Sequence, residues 1–236
     1  MKYYDTLLFD LDGVILDFTK AEELSFRETF HAYGVTVTPA LFAQYRELNH
    51  RRWQAYEKGL IDNEECTVGR FRELFSEMKL DADAKQFALD YQKGLGRGHF
   101  LMPHAREVLE TLSPKFRLYV VTNGVSSTAR DRLQGTDTEK YFRKLFISEE
   151  MGAQKPSAEY FEKVEAGIPA FQRAQTLLIG DTLSSDIRGA VNAGIDCCWV
   201  NPSHKENDTE LIPTCEIDDL RSLLKLPEIE IRLNER

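Results

Sequence analysis

The chain has 236 residues, with 30 Lys+Arg against 39 Asp+Glu and a formal net charge of -9. Its 42 % hydrophobic and 29 % charged residues are ordinary for a folded domain, and at this length roughly 70–75 % of the unfolded surface can be buried without disulfide or metal staples. The acidic balance excludes a non-specific binder of nucleic acid or anionic membrane, which needs basic residues to neutralise phosphates, but leaves room for a small anionic ligand held by a few local donors.

The opening, Met1-Lys2-Tyr3-Tyr4-Asp5, reaches an acid too soon for a signal peptide, and no small-residue cleavage site follows. No apolar run reaches the roughly 18 residues of a membrane span. Cys66, Cys197, Cys198 and Cys215 contain no C-x-x-C pair. They read as reduced, small buried side chains in a cytoplasmic protein, not as a zinc site or disulfide framework.

The first predicted strand is Thr6–Phe9, a continuous apolar run. Residues 17–98 then show helix-period patterns and no strand: Glu22–Tyr33, Ala40–Tyr56, Val68–Phe75 and Ala82–Gln92. They read as an all-helical insertion of about 80 residues, within the usual domain range. Its exit, Lys93-Gly94-Leu95-Gly96-Arg97-Gly98-His99, reads as a turn or hinge; no strand precedes these glycines, so a dinucleotide cradle is disfavoured. On the second insertion pattern, Asn49, Arg52 and Trp53 form a polar–aromatic group, in which a core tryptophan with solvated neighbours is favoured over a base-stacking platform.

Beyond residue 99, helical patterns at Ala105–Leu112, Ser126–Leu133, Ala158–Glu165 and Ser185–Ala193 alternate with apolar runs at Leu118–Val121, Leu145–Ile147, Leu177–Ile179 and Cys197–Val200. Continuous apolar runs suit strands covered on both faces. The alternation predicts an α/β fold, a Rossmann-like three-layer core with a mostly parallel sheet. The core comprises residues 1–16 and 99–236, and the helical domain residues 17–98. The charged tail Glu228–Arg236 is expected to fray.

Polar residues recur where the strands end. The first run closes in Asp10-Leu11-Asp12-Gly13, the second in Thr122-Asn123-Gly124, and the fourth in Gly180-Asp181, with Asp186 five residues on. Lys155-Pro156 follows the third run, before a helix. In an open parallel sheet, ligands sit beyond the carboxyl ends of the strands. Alone, each group has a bland reading as a turn acid, helix cap or solvated lysine. Together they point to one site. Two close acids repel unless a cation or shared proton intervenes, and carboxylate oxygens suit Mg2+.

With Asp10/Asp12, Thr122, Lys155 and Asp181/Asp186 in this order, the sequence resembles the haloacid dehalogenase superfamily of phosphotransferases, and residues 17–98 look like its first type of helical cap. The resemblance implies Mg2+ held by Asp10, Asp181 and the backbone carbonyl of Asp12, with Asp186 orienting a ligand from behind. It implies Asp10 as nucleophile, forming an aspartyl-phosphate, and Asp12 as acid and then base. Thr122, Lys155 and backbone N–H groups near Asn123 and Gly124 would bind the phosphoryl group. Asp12 favours phosphoester chemistry over dehalogenation, which needs no acid there. None of Lys20, Lys58, Lys79, Lys85 and Lys93 stands in an apolar setting suited to a phosphonatase Schiff base.

Longer stretches, Leu145–Pro156, Gly180–Ile187, Asn192-Ala193-Gly194 and Cys198-Trp199-Val200-Asn201, together with Asp17-Phe18, are similar to the noncanonical pyrimidine 5'-nucleotidases. Gly13-Val14-Ile15 departs from that subfamily and is closer to phosphoglucomutases. The expected substrate is a pyrimidine nucleoside monophosphate, on a monomer or weak homodimer in the cytoplasm, with no nucleic-acid polymer or membrane as partner. A sugar-phosphate phosphatase or mutase is the alternative enzyme; a catalytically silent binding protein is the alternative of another class.

Overall fold

The strand at Thr6–Phe9 (β1) is buried along its whole length because neighbours pair with it on both sides. A computed structural model describes residues 3–234; the expectations on Met1, Lys2, Glu235 and Arg236 fall outside them. Its sheet adds β2 (Arg117–Thr122), β3 (Lys144–Ile147), β4 (Thr176–Gly180), β5 (Asp196–Val200) and β6 (Cys215–Ile217). All pairings are parallel, in the order β3-β2-β1-β4-β5-β6. The order reverses direction beside β1, which makes the β1/β4 boundary the switch point where such sheets open a crevice.

Side-chain alternation along the strands sorts the core into two layers. Leu7, Phe9, Leu118, Val120, Leu177 and Ile179 face one side with α6 (Ala105–Leu112), α7 (Ser126–Gly135) and α11 (Pro227–Asn234). Leu8, Tyr119, Val121, Leu178, Cys197 and Trp199 face the other with α9 (Ala158–Ala166) and α10 (Arg188–Ala193). The one-turn α8 (Ser148–Met151) follows β3. This is the expected three-layer α/β core. All four cysteines are free thiols.

Three details differ from expectation. The tail is helical over its described part: Ile229 is fully buried in the core and Leu233 packs against it, so α11 docks through apolar residues set among charges. The expected helix at Ser185–Ala193 is broken into a π-helical turn, Leu183–Ile187, and then α10. The strand β6 lies in a segment of mixed polarity, where three residues carry too little pattern to stand out.

The described residues form two compact units, 3–17 with 99–234, and Phe18–Gly98. The second unit holds α1 (Phe18–Ala32), α2 (Pro39–Glu57), α3 (Asn63–Thr67), α4 (Gly69–Met78) and α5 (Ala84–Gly96). The side chains of Thr38, Asp62 and Asp83 accept backbone N–H bonds at the starts of α2, α3 and α5. The exit at 93–99 turns only at its end, at Arg97, next to the unit boundary after Gly98. Gly94 and Gly96 continue α5, and a Cβ at Gly94 would lie 2.2 Å from Ser25 Oγ. The missing side chain lets α1 approach α5 closely enough for Ser25 Oγ to donate to the Tyr91 carbonyl at 2.7 Å. Phe26, Phe30, Tyr45, Phe71, Phe87 and Tyr91 fill this unit's interior.

The Asn49–Arg52–Trp53 group separates in space. Asn49 turns inward to Arg70 and Glu22, while Arg52 bridges Glu65 and Glu73 at 2.6 and 2.7 Å. Trp53 is half-buried edge-on to Tyr56, which agrees with a structural tryptophan. Lys20, Lys58, Lys79, Lys85 and Lys93 are all exposed.

Candidate active site

Asp10 directly follows β1, and its N–H donates to the Ile179 carbonyl of β4 at 2.9 Å. Register therefore sets Asp10 level with the end of β4, next to Asp181. Carboxylate oxygens of Asp10, Asp181 and Asp186 lie within 4.8 Å of one another. Two glycines make this possible. Gly13 has φ +81°, which L side chains rarely adopt, and a Cβ there would sit 2.4 Å from Asp181 Oδ2. A Cβ at Gly180 would fall 2.4 Å from the Cβ of Asp186.

Among the described residues, Lys155 is the cation that pairs with two of this trio. Its Nζ donates to Asp10 Oδ1 at 2.7 Å, to Asp186 Oδ1 at 2.6 Å and to the Val121 carbonyl at 2.9 Å. An ammonium has three donors, and these three acceptors engage all of them. Asn123 fixes its backbone reciprocally: Asn123 Nδ2 donates to the Lys155 carbonyl at 2.9 Å, and Lys155 N–H donates to Asn123 Oδ1 at 2.8 Å. The Asn123 side chain is thus a clamp on the lysine segment.

Asp181 is steadied at two atoms, and the residue after it holds Asp186. Thr182 Oγ1 donates to its Oδ1 at 2.9 Å, Trp199 Nε1 donates to its carbonyl at 2.9 Å, and Thr182 N–H donates to Asp186 Oδ2 at 3.1 Å. Thr122 ends β2 as expected, and its Oγ1 accepts the Gly124 N–H at 3.0 Å, leaving the hydroxyl proton to donate.

The electrostatics follow from three carboxylates around one ammonium. Burial pushes the Asp10 carboxyl well above the usual carboxylate range; Lys155 opposes this, and Asp186 and Asp181 add to it. Loss of solvent and the Asp186 charge push Asp181 up to about 7. Burial alone would lower the Lys155 ammonium, but Asp10 and Asp186 outweigh it and hold it above its ordinary value. The trio therefore carries a surplus of negative charge that favours taking up a proton or a cation. Hard oxygen donors at this spacing suit a small divalent cation.

Asp12 is set apart from the trio. Its Oδ1 accepts from Nη1 of Arg132, a residue of α7 with 2 % of its side chain exposed. Arg132 was not singled out from the sequence. The signal was present: Thr128, Ala129, Arg132 and Leu133 form the buried stripe of α7, so a charge stands where an apolar residue is expected. The structure thus gathers Asp10, Lys155, Asp181 and Asp186 into one cluster, with Thr122, Asn123, Gly124 and Asp12 at its border.

Comparison with known proteins agrees with this layout. The model of the haloacid dehalogenase-like hydrolase family matches residues 7–200. Bacillus subtilis YfnB, described as a HAD-hydrolase, is 42 % identical over 230 residues, covering 98 % of each chain. Its crystal structure bound to magnesium superposes with a TM-score of 0.90 over 95 % of this chain and 98 % of YfnB. Pyrimidine 5'-nucleotidase PynA of Streptococcus pneumoniae is 36 % identical, covering 94 % of each chain. Pyrimidine 5'-nucleotidase YjjG of Escherichia coli is 31 % identical, covering 94 % of this chain and 97 % of its own. With its sheet, its acidic cluster and these relatives, the chain belongs to the haloacid dehalogenase-like hydrolases.

Proposed function

We propose that this hydrolase cleaves pyrimidine nucleoside 5'-monophosphates with Mg2+ and an aspartyl-phosphate intermediate. The observation that carries the reading is the Asp10–Asp181–Asp186 trio around Lys155 at the β1/β4 switch point. The nucleotidase relatives support the substrate class. In this reading residues 17–98 are the cap that selects the substrate, inserted into a core of residues 1–16 and 99–236. We infer a cytoplasmic monomer or weak homodimer; among the described residues no helix is long and apolar enough to cross a membrane.

The residues that would hold Mg2+ are Asp10, Asp181 and the backbone carbonyl of Asp12, with Asp186 supporting them. The ion supplies positive charge that offsets repulsion between the carboxylates and the phosphate dianion. Asp10 is oriented by Lys155 at Oδ1. A carboxylate oxygen of Asp10 bonds to phosphorus as the ester P–O bond breaks, and the proton on Asp12 passes to the leaving 5'-oxygen. Water then attacks phosphorus and gives its proton to Asp12, the Asp10–phosphorus bond breaks, and phosphate leaves. The Thr122 hydroxyl donates to the phosphoryl oxygens.

The test is phosphate release from pyrimidine nucleotides, purine nucleotides and sugar phosphates, with and without Mg2+. Mg2+-dependent release, fastest from pyrimidine nucleoside monophosphates, is the expected result. Preference for a sugar phosphate, or an isomerised phosphate in place of free phosphate, overturns it.

A further inference from the structure

Arg132 is a guanidinium buried to 2 % exposure whose carboxylate partner, Asp12, keeps 35 % of its side chain exposed. A buried charge is costly unless its geometry is used. The arginine is held rigidly: Ala129 and Leu133 pack its helix onto the core, and Thr136 Oγ1 donates to the Arg132 carbonyl at 2.8 Å. Its Nη1 donates to Oδ1 of Asp12. The other oxygen lies toward the phosphoryl-binding turn, since a Cβ built on Gly124 would stand 3.9 Å from Asp12 Oδ2 and 3.3 Å from Thr122 Oγ1. One oxygen is tethered to a helix packed on the core, and the other faces the Thr122–Gly124 turn.

We propose that Arg132 is a positioning residue for proton transfer, holding Asp12 by Oδ1 so that Oδ2 meets the leaving oxygen. This rests on the phosphomonoesterase reading above, with the proton moving from Asp12 to the ester oxygen as the P–O bond breaks. The same guanidinium stabilises the carboxylate left once that proton has gone. A single positioned proton donor contributes about 10²–10⁴-fold. Its contribution shrinks when the leaving group departs unaided, as 4-nitrophenolate does.

The experiment compares kcat/KM for wild type, Arg132→Gln, Arg132→Lys and Asp12→Ala on aryl phosphates graded from 4-nitrophenyl to phenyl, and on a nucleoside monophosphate. For Arg132→Gln the expected loss is about 10²-fold on phenyl phosphate and the nucleotide, following, and only a few-fold on 4-nitrophenyl phosphate. Arg132→Lys, which keeps the charge but not the fork, falls between. In the Asp12→Ala background Arg132→Gln costs nothing further. Equal loss on all esters, or a full additional loss in that background, overturns the proposal and leaves a structural arginine. If Arg132→Gln does not fold, Arg132→Lys decides by the slope of its losses against leaving-group basicity. A wild type that releases no phosphate from any ester overturns the phosphomonoesterase reading itself, and this proposal with it.

Discussion

In the unit of residues 3–17 and 99–234, buried charge gathers around a surplus. Asp10, Asp181 and Asp186 share one ammonium, Lys155. In Phe18–Gly98, Glu22 and Arg70 are as deeply buried, but they balance. Arg70 Nη1 donates to Asn49 Oδ1, and Asn49 Nδ2 donates to Glu22 Oε1 at 2.9 Å. The guanidinium also lies 5.1 and 5.2 Å from the ring centres of Phe71 and Tyr91. This chain of contacts ties α1, α2 and α4 together. What separates a site from a structural network is then the balance of sign. Where one buried cation answers one buried anion no further charge is needed, whereas three carboxylates on one cation call for another positive partner.

The comparison breaks if charge removal has the same consequence in both units. The largest effect is expected at Asp10. Asp10→Asn should lower turnover by at least about 10³-fold while the melting temperature stays within a few degrees, because burial, with the Asp186 and Asp181 charges, outweighs Lys155 and already disfavours the ionised form. Activity together with a thermal melt checks this, and wild-type turnover would sink the nucleophile assignment. Asp181→Asn should raise the Mg2+ concentration for half-maximal activity by about 10²-fold, as loss of a carboxylate from a metal site does. An unchanged Mg2+ titration would remove Asp181 from that site. In the other unit the effect should be on stability. Arg70→Met should cost about 2 kcal/mol, the range for hydrogen bonds to a charged group, read as a lower urea midpoint at constant m. An unaltered midpoint would mean that the Arg70 network contributes nothing.

Much of the core was legible because its patterns are strong and local. Thr6–Phe9 and Ala105–Leu112 fall where the apolar pattern puts them. The other expected strands differ from the observed ones by a residue or so at their ends. The acids and the lysine at strand ends were legible because parallel strands buried on both faces read as apolar runs, and polar residues mark where they stop. The glycines at 94 and 96 misled, since a glycine that opens a turn and one that admits a neighbouring helix look alike in one dimension. The tail misled because its single buried residue, Ile229, sits among charges.

The sequence by itself determined the fold class, the helical insertion and the residues of the acidic cluster, since each follows from the order of residues along the chain. The tertiary structure alone decided which charges meet. Lys155 stands 145 positions from Asp10, and Arg132 stands 120 from Asp12. No local pattern couples residues so far apart. They meet because β1 is threaded between β2 and β4, and because α7 packs on the sheet face that turns Arg132 inward.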